Sequence, residues 1–172
     1  YFVLGDQGCG NTSVAFKVVD HMRRKYRNRI VIYVSLRGCK TEFQLLHKYI
    51  IPVVRALDKK SNFRFGMKEY HHDKRGIAEL PEMTAQRKKK KVVLILDDFD
   101  VIIGMNDQLQ IEELLSSVWG KQHWISTCVV MNNTSEAEAL IRQQSSPFYM
   151  PIFKEFAGIQ LADWYKYISD AF

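Results

Sequence analysis

Residues 1–12 read Tyr-Phe-Val-Leu-Gly-Asp-Gln-Gly-Cys-Gly-Asn-Thr, and residues 91–100 read Lys-Val-Val-Leu-Ile-Leu-Asp-Asp-Phe-Asp. The first stretch runs from an apolar segment into three glycines and a threonine. It fills the phosphate-loop frame G-x-x-x-x-G-K-[ST] at every position but one, because Asn11 stands where the lysine belongs. In the second stretch, five apolar residues run without a polar break. That pattern reads as a strand buried on both faces, as in a parallel sheet. Ligands of such sheets bind at the carboxyl ends of the strands. Asp97 and Asp98 occupy that end.

The chemistry follows from the residue types. Gly5, Gly8 and Gly10 permit backbone angles that a Cβ resists. A turn of that kind points successive N–H groups at one anion. A helix beginning near Thr12 adds the unpaired N–H groups and the positive dipole end of its first turn. Gly8, Cys9, Gly10, Asn11, Thr12 and Ser13 are therefore the candidate phosphate cradle, with Gly5 opening the loop. The Thr12 hydroxyl and the Asp97 carboxylate are the candidate magnesium ligands. Asp98 or Asp100 is placed to orient an attacking water. The absent lysine removes a point charge, and losing a charge-assisted hydrogen bond costs about 1.5–3 kcal/mol. Affinity then falls about ten- to a hundredfold. Lys17 and Arg37 are the cations within reach as replacements, although Lys17 lies nearly two turns up the helix and on another face.

Length and composition agree with one globular unit. A chain of 172 residues, 47% hydrophobic, suits a single domain with its own core. No apolar stretch reaches membrane-spanning length. The abrupt start at a strand reads as a piece of a longer chain. Cys9, Cys39 and Cys128 form neither a disulfide framework nor a zinc spacing, which points to a reducing, cytoplasmic setting. The net charge of +6 is concentrated in Arg23, Arg24, Lys25, Arg27 and Arg29 and in residues 87–91. Both runs precede expected strands, so they read as solvated helix ends. Nucleic-acid contact is the lesser expectation, because no aromatics interleave with the charges.

Further along, strands and helices alternate. A helix is expected from Thr12 to about Tyr26, a strand over 30–35, and a helix from Thr41 with Gln44 completing a capping box. Pro52 is expected to kink or end that helix. Residues 58–76 read as an irregular loop, with His71, His72 and Asp73 on its surface. A short helix is expected over 80–90 with Pro81 in its first turn, then the Asp97 strand and a helix over 107–119. After these come a strand over 124–131, a short helix from Thr134 or Ser135 to Ile141, an edge strand over 148–153 and a closing helix over 159–172. The βα alternation predicts an α/β fold with a mostly parallel five-stranded sheet and helices on both faces.

These segments resemble the nucleotide-binding domain of STAND-class P-loop NTPases, NB-ARC domains above all. Residues 5–15 lie on that family's Walker A pattern, with Asn11 as a departure. Residues 29–35 and 41–46 resemble its second strand and following helix. Residues 91–100 resemble its Walker B, and the spread of Asp97 and Asp100 is similar to NACHT domains. Residues 125–133 sit at its sensor strand, where Asn132-Asn133 replaces the usual arginine. Residues 148–168 resemble the strand and helix that close the subdomain. The resemblance implies a three-layer P-loop NTPase fold and one nucleotide-binding domain over 1–172. It also implies a switch of the apoptosis or disease-resistance signalling class that binds ADP or ATP with Mg²⁺ and hydrolyses weakly or not at all. Its implied partners are the neighbouring domains of a longer protein and further copies of itself on activation. Two alternatives stand beside this one. An asparagine ending that strand resembles sensor 1 of AAA+ proteins, including origin-recognition and Cdc6-like initiators, although those usually follow the Walker B aspartate with glutamate. The other is a pseudo-NTPase that serves as a scaffold.

Overall fold

In a computed structural model, residues 2–5, 10–132 and 134–149 are described, together with the backbone of 155–156. The chain runs β1 (Phe2–Gly5), α1 (Asn11–Lys25), β2 (Arg29–Ser35), α2 (Glu42–Leu57), α3 (Met67–His72), α4 (Lys74–Lys88) and β3 (Lys91–Asp97). A 3-10 turn over Phe99–Ile102 leads to α5 (Gln108–Trp119), β4 (Ile125–Asn132), α6 (Ser135–Arg142) and β5 (Glu155–Phe156). All strand pairs are parallel, in the order β2-β3-β4-β1-β5. The expected α/β architecture is present, and the two-residue β5 lies at the edge of the sheet.

Strand periodicity sorts the core into two layers. Val3, Val31, Val93, Ile95, Cys128 and Val130 point to one face and pack against Ala15, Val18, Val19 and Met22 of α1. Their neighbours Leu4, Ile32, Leu94, Leu96, Val129 and Met131 point to the other face, where α2, α4, α5 and α6 bury their apolar sides. A strand apolar on both faces is thus satisfied only by helices on both faces.

The structure departs from the expectations at several points. Helix α2 runs through Pro52 to Leu57, so Pro52 does not end it. Pro52 and Lys48 are both exposed, so the carbonyl that loses its helical donor is on the solvent side, where water satisfies it. Residues 58–76 are not an irregular loop, for they contain α3 and the start of α4. Two caps fix them: the Glu69 carboxylate accepts the Gly66 N–H at 2.9 Å, and the Asp73 carboxylate accepts the Gly76 N–H at 2.8 Å. Phe65 and Tyr70 then bury their rings beside Phe43. Helix α4 therefore starts at Lys74 and carries Pro81 in its interior. Phe148 and Tyr149 lie in a turn, residues 150–153 of the expected strand and the closing helix over 159–172 lie outside the described residues, and a two-residue strand is present at 155–156.

The capping box at Thr41 is close to expectation. Thr41 Oγ1 accepts the Gln44 N–H at 3.3 Å, while Gln44 Oε1 accepts the N–H of Lys40, one residue earlier than the standard box.

Beneath the acidic turn lies an aromatic cluster. Phe99 is fully buried and packs its ring against Phe2, Trp119 and Phe148 at 5.6–6.2 Å between centroids. Phe99→Ala is expected to cost about 3–5 kcal/mol, read as a lower urea midpoint at unchanged slope.

Candidate nucleotide-binding site

The carboxyl ends of four adjacent strands meet at one end of the sheet, with β4 running on to Asn132 past the level of Asp97. Gly5 of β1 is opposite Asn132 of β4, and Ser35 of β2 is opposite Asp97 of β3. There a cavity of about 320 Å³ is lined by Gly10, Asn11, Thr12, Arg37, Asp97, Asp98, Asp100, Met131 and Asn132. The glycine loop and the acidic turn, more than eighty residues apart in sequence, thus face one space. Of the expected cradle, Gly8 and Cys9 lie outside the described residues. Ser13 is exposed on the first turn of α1 and is not among the lining residues.

Helix α1 starts in the manner of an anion site. Gly10 has φ 86°, in the left-handed region that favours glycine, and its carbonyl accepts the first helical bond from Val14 at 2.9 Å. Gly10, the N-cap, has no side chain to cap the helix, and the first turn of α1 faces the cavity with the positive end of its dipole. Asn11 does not take up the role of a lysine. Its Nδ2 turns back and donates to the Gly5 carbonyl at 3.0 Å. A Cβ on Gly5 would fall 1.9 Å from Asn11 Oδ1, so glycine at position 5 makes room for that bond.

Asp97 is only 3% exposed, and both its oxygens are engaged. Oδ2 accepts the Tyr33 hydroxyl at 2.7 Å and Oδ1 accepts the Asp98 N–H at 2.9 Å. Burial, followed by the bond to Asp97 and its charge, raises the Tyr33 phenol far above its ordinary value. The same ring packs, tilted, against the half-exposed Phe16 at 4.3 Å between centroids. Nothing in the sequence spacing singles out Tyr33. Its role follows from β2 lying beside β3, with Tyr33 opposite Ile95 and two residues short of the Asp97 level.

The backbone turns sharply after Asp97. Asp98 sits at φ 58°, ψ 36°, a left-handed conformation uncommon for a residue with a Cβ. That turn swings its carboxylate toward β2, where Ser35 Oγ donates to Oδ2 at 2.7 Å and Arg37 pairs with Oδ1 at 3.1 Å. Asp100 points the other way and accepts from Asn132 Nδ2 at 3.1 Å and the Asn132 N–H at 3.4 Å. Each acid of the motif therefore has a different partner: Asp97 a tyrosine, Asp98 a serine and an arginine, Asp100 an asparagine.

These residues fit magnesium and phosphate in the way a substrate-completed site does. Thr12 and Asp97 offer hard oxygen donors on opposite sides of the same cavity. Among the described residues no cluster of three or more His, Cys, Asp or Glu is arranged to hold a metal ion by itself. Mg²⁺ characteristically takes one or two carboxylates and completes its shell with phosphate oxygens and water. His71 and His72 are exposed, and the Asp73 carboxylate is spent on a helix cap, so that trio is not a metal site. Cys39 and Cys128 are buried free thiols, and burial pushes Cys128 up to about 11, which leaves it unreactive at neutral pH.

With the geometry in place, comparison with known proteins gives the family. The model for an ATPase domain predominantly from Archaea matches residues 1–149, and the chain belongs to that family. The fold is that of a P-loop NTPase. Among solved structures, the Orc1 protein of Aeropyrum pernix in complex with DNA is similar in fold, with a TM-score of 0.62 at 16% sequence identity. The match covers 99% of this chain and 43% of that one, so this chain spans less than half the length of that protein. No curated protein matches. Within the described residues, no helix is long and apolar enough to cross a membrane.

Removing the Tyr33 hydroxyl leaves one oxygen of a buried carboxylate unpartnered. Tyr33→Phe is expected to cost about 1–3 kcal/mol. It also changes alkaline behaviour. The folded chain keeps the Tyr33 proton above the ordinary 10.0 at which an unfolded chain releases it, and Tyr70, buried beside Glu42, is likewise pushed up to about 12. Their stabilisation is complete below pH 10 and is lost as pH rises toward the folded values. Urea midpoints measured from pH 8 to 12 should fall from about pH 10, and less steeply in Tyr33→Phe.

Proposed function

We propose that this chain is the nucleotide-binding module of an AAA+ ATPase of the origin-recognition and Cdc6-like type, taking ADP or ATP with Mg²⁺. The observation that carries the reading is the convergence of Gly10–Thr12, Asp97 and Asn132 on one cavity. Asn132 ends the strand between the glycine-loop strand and the acidic strand, which suits a side chain that reads the bound phosphates. The match to the ATPase family and the likeness of fold to Orc1 support this reading over the STAND switch, for which the comparisons offer no support. The signalling role, the oligomer formed on activation and the cytoplasmic setting go with the STAND reading.

In this reading the first turn of α1 and the Gly10 turn bind phosphate, and Thr12 and Asp97 hold Mg²⁺. The metal would supply charge neutralisation that the protein itself does not. The cavity lining carries three carboxylates and one guanidinium, so a polyphosphate without a divalent cation meets net repulsion. Hydrolysis is weak, because Asp100 is engaged by Asn132 and because Asn11 brings no charge to the transferring group. A scaffold without nucleotide is the outcome if binding is absent.

Calorimetry with ADP and ATP tests this. Binding is expected with Mg²⁺ and to weaken at least tenfold in EDTA, and Asn11→Lys is expected to raise affinity about ten- to a hundredfold. No heat in either protein would mean that the loop does not hold nucleotide.

One further observation favours a DNA-associated reading. The two basic runs meet at the opposite end of the sheet, where Arg29 of β2 pairs in register with Lys91 of β3. Arg24, Arg27, Arg87, Lys89 and Lys90 are exposed there. The aromatics at that end are covered by the chain's own cations: Lys25 and Arg29 lie over Tyr26 at 5.2 and 5.0 Å, and Lys91 lies over Trp124 at 4.7 Å. Such a face suits the phosphates of a duplex better than stacked single-stranded bases. Anisotropy titrations of duplex DNA across a salt series check it. The pairs Arg24→Glu/Arg27→Glu and Lys89→Glu/Lys90→Glu should each weaken binding and flatten the salt slope by about two. An unchanged slope in both would remove this face from the reading.

A further inference from the structure

The loop from Gly5 to Ser13 contains no cation, yet one cation does line the cavity. Arg37 reaches it from the turn after β2. That turn is held by its backbone: the Arg37 N–H donates to Ser35 Oγ at 3.3 Å, Lys48 Nζ donates to the Arg37 carbonyl at 2.6 Å, and Gly38 follows at φ 82°. The side chain, by contrast, is 78% exposed, and among the described residues its partner is Asp98, through Nη2. A guanidinium carries five donors in a fork that matches phosphate, and an ion pair so open to solvent holds it weakly.

We infer that Arg37 is the phosphate-binding cation of this site, standing in from β2 for the lysine that Asn11 replaces. Asp98 holds the guanidinium at the cavity mouth, and bound phosphate takes it over. The same exchange releases the Asp98 carboxylate from Arg37, its cationic partner among the described residues, so phosphate binding and the freeing of an acid beside Asp97 are one event. Three features agree with this. Position 11 is committed to Gly5 and cannot supply the charge. Lys17, the other candidate, is exposed and is not among the lining residues. Asp98 adopts its left-handed conformation in the turn that brings its carboxylate to Arg37.

The inference rests on the nucleotide reading, and the experiment separates the two. Mg²⁺-ATP affinity is measured by calorimetry for the native chain, Arg37→Gln, Asn11→Lys, the double variant and Asp98→Asn. Arg37→Gln should lose tenfold or more. In the Asn11→Lys background the same change should lose threefold or less, because the loop then has its own cation. Asp98→Asn should gain about threefold or more, since it removes the competitor for the guanidinium. Native affinity in Arg37→Gln, or an equal loss in both backgrounds, overturns the role of Arg37 and leaves the nucleotide site standing. A loss in Asp98→Asn as large as in Arg37→Gln would mean that the ion pair only shapes the turn. Absence of binding in the native chain and in Asn11→Lys alike overturns the nucleotide reading itself.

Discussion

Strand β4 lies between β1 and β3, and the geometry of the site follows from that one placement. Parallel neighbours lie about 4.8 Å apart, so two spacings hold the glycine loop and the acidic turn about 10 Å apart. That gap is wide enough for a cavity and narrow enough for Thr12 and Asp97 to face the same contents. It also makes the end of β4 the floor of the gap. Asn132 is there because the strand order leaves it nowhere else, and Asp100 fixes its amide. A direct β1–β3 pairing would press the loop against the acids and leave no room for a ligand.

The same order polarises the molecule. Strands β2, β3 and β4 are parallel neighbours, so all their carboxyl ends share one end of the sheet and all their starts share the other. Three aspartates gather at the first end and two lysine- and arginine-rich runs at the second. Along the sequence the runs look like two unrelated helix termini, each complementing a dipole. Only the register, Arg29 beside Lys91, makes them one surface. Glu82 shows how tightly that end is built, for its carboxylate accepts three successive N–H groups, from His123, Trp124 and Ile125, at 2.7–2.9 Å. It spends its charge starting β4 and does little to offset the neighbouring cations.

What was legible in the sequence was what periodicity and glycine placement control. Val92–Leu96 could only be a doubly covered strand, and Gly5 to Thr12 after an apolar run could only be a loop leading into a helix. The residues that finish the site were not legible, because their roles depend on lateral strand neighbours. Tyr33 reads as one more aromatic in a β-branched run until β2 is placed beside β3. Asp98 reads as a free acid until its backbone turns left-handed and delivers it to Ser35 and Arg37. The stretch 58–76 was misread for a local reason. It holds only the six-residue α3 and the start of α4, set by caps from Glu69 and Asp73 and by buried rings, none of which produces a helical apolar period.

Asn11 gives the clearest view of how the loop tolerates its own departure. A lysine at this position is a charge held out to a ligand. The asparagine instead closes a bond inside the loop, from its amide to the carbonyl of Gly5, and it fits because Gly5 has no Cβ to meet it. The substitution therefore exchanges a charge offered to a ligand for a bond between Asn11 and the end of β1. The N–H groups of the first turn of α1 need no side chain at position 11. What the asparagine does not supply is a compensating positive charge, which must come from a metal ion or from another strand. The cavity is already arranged for both, with hard oxygens at Thr12 and Asp97 and a guanidinium at Arg37.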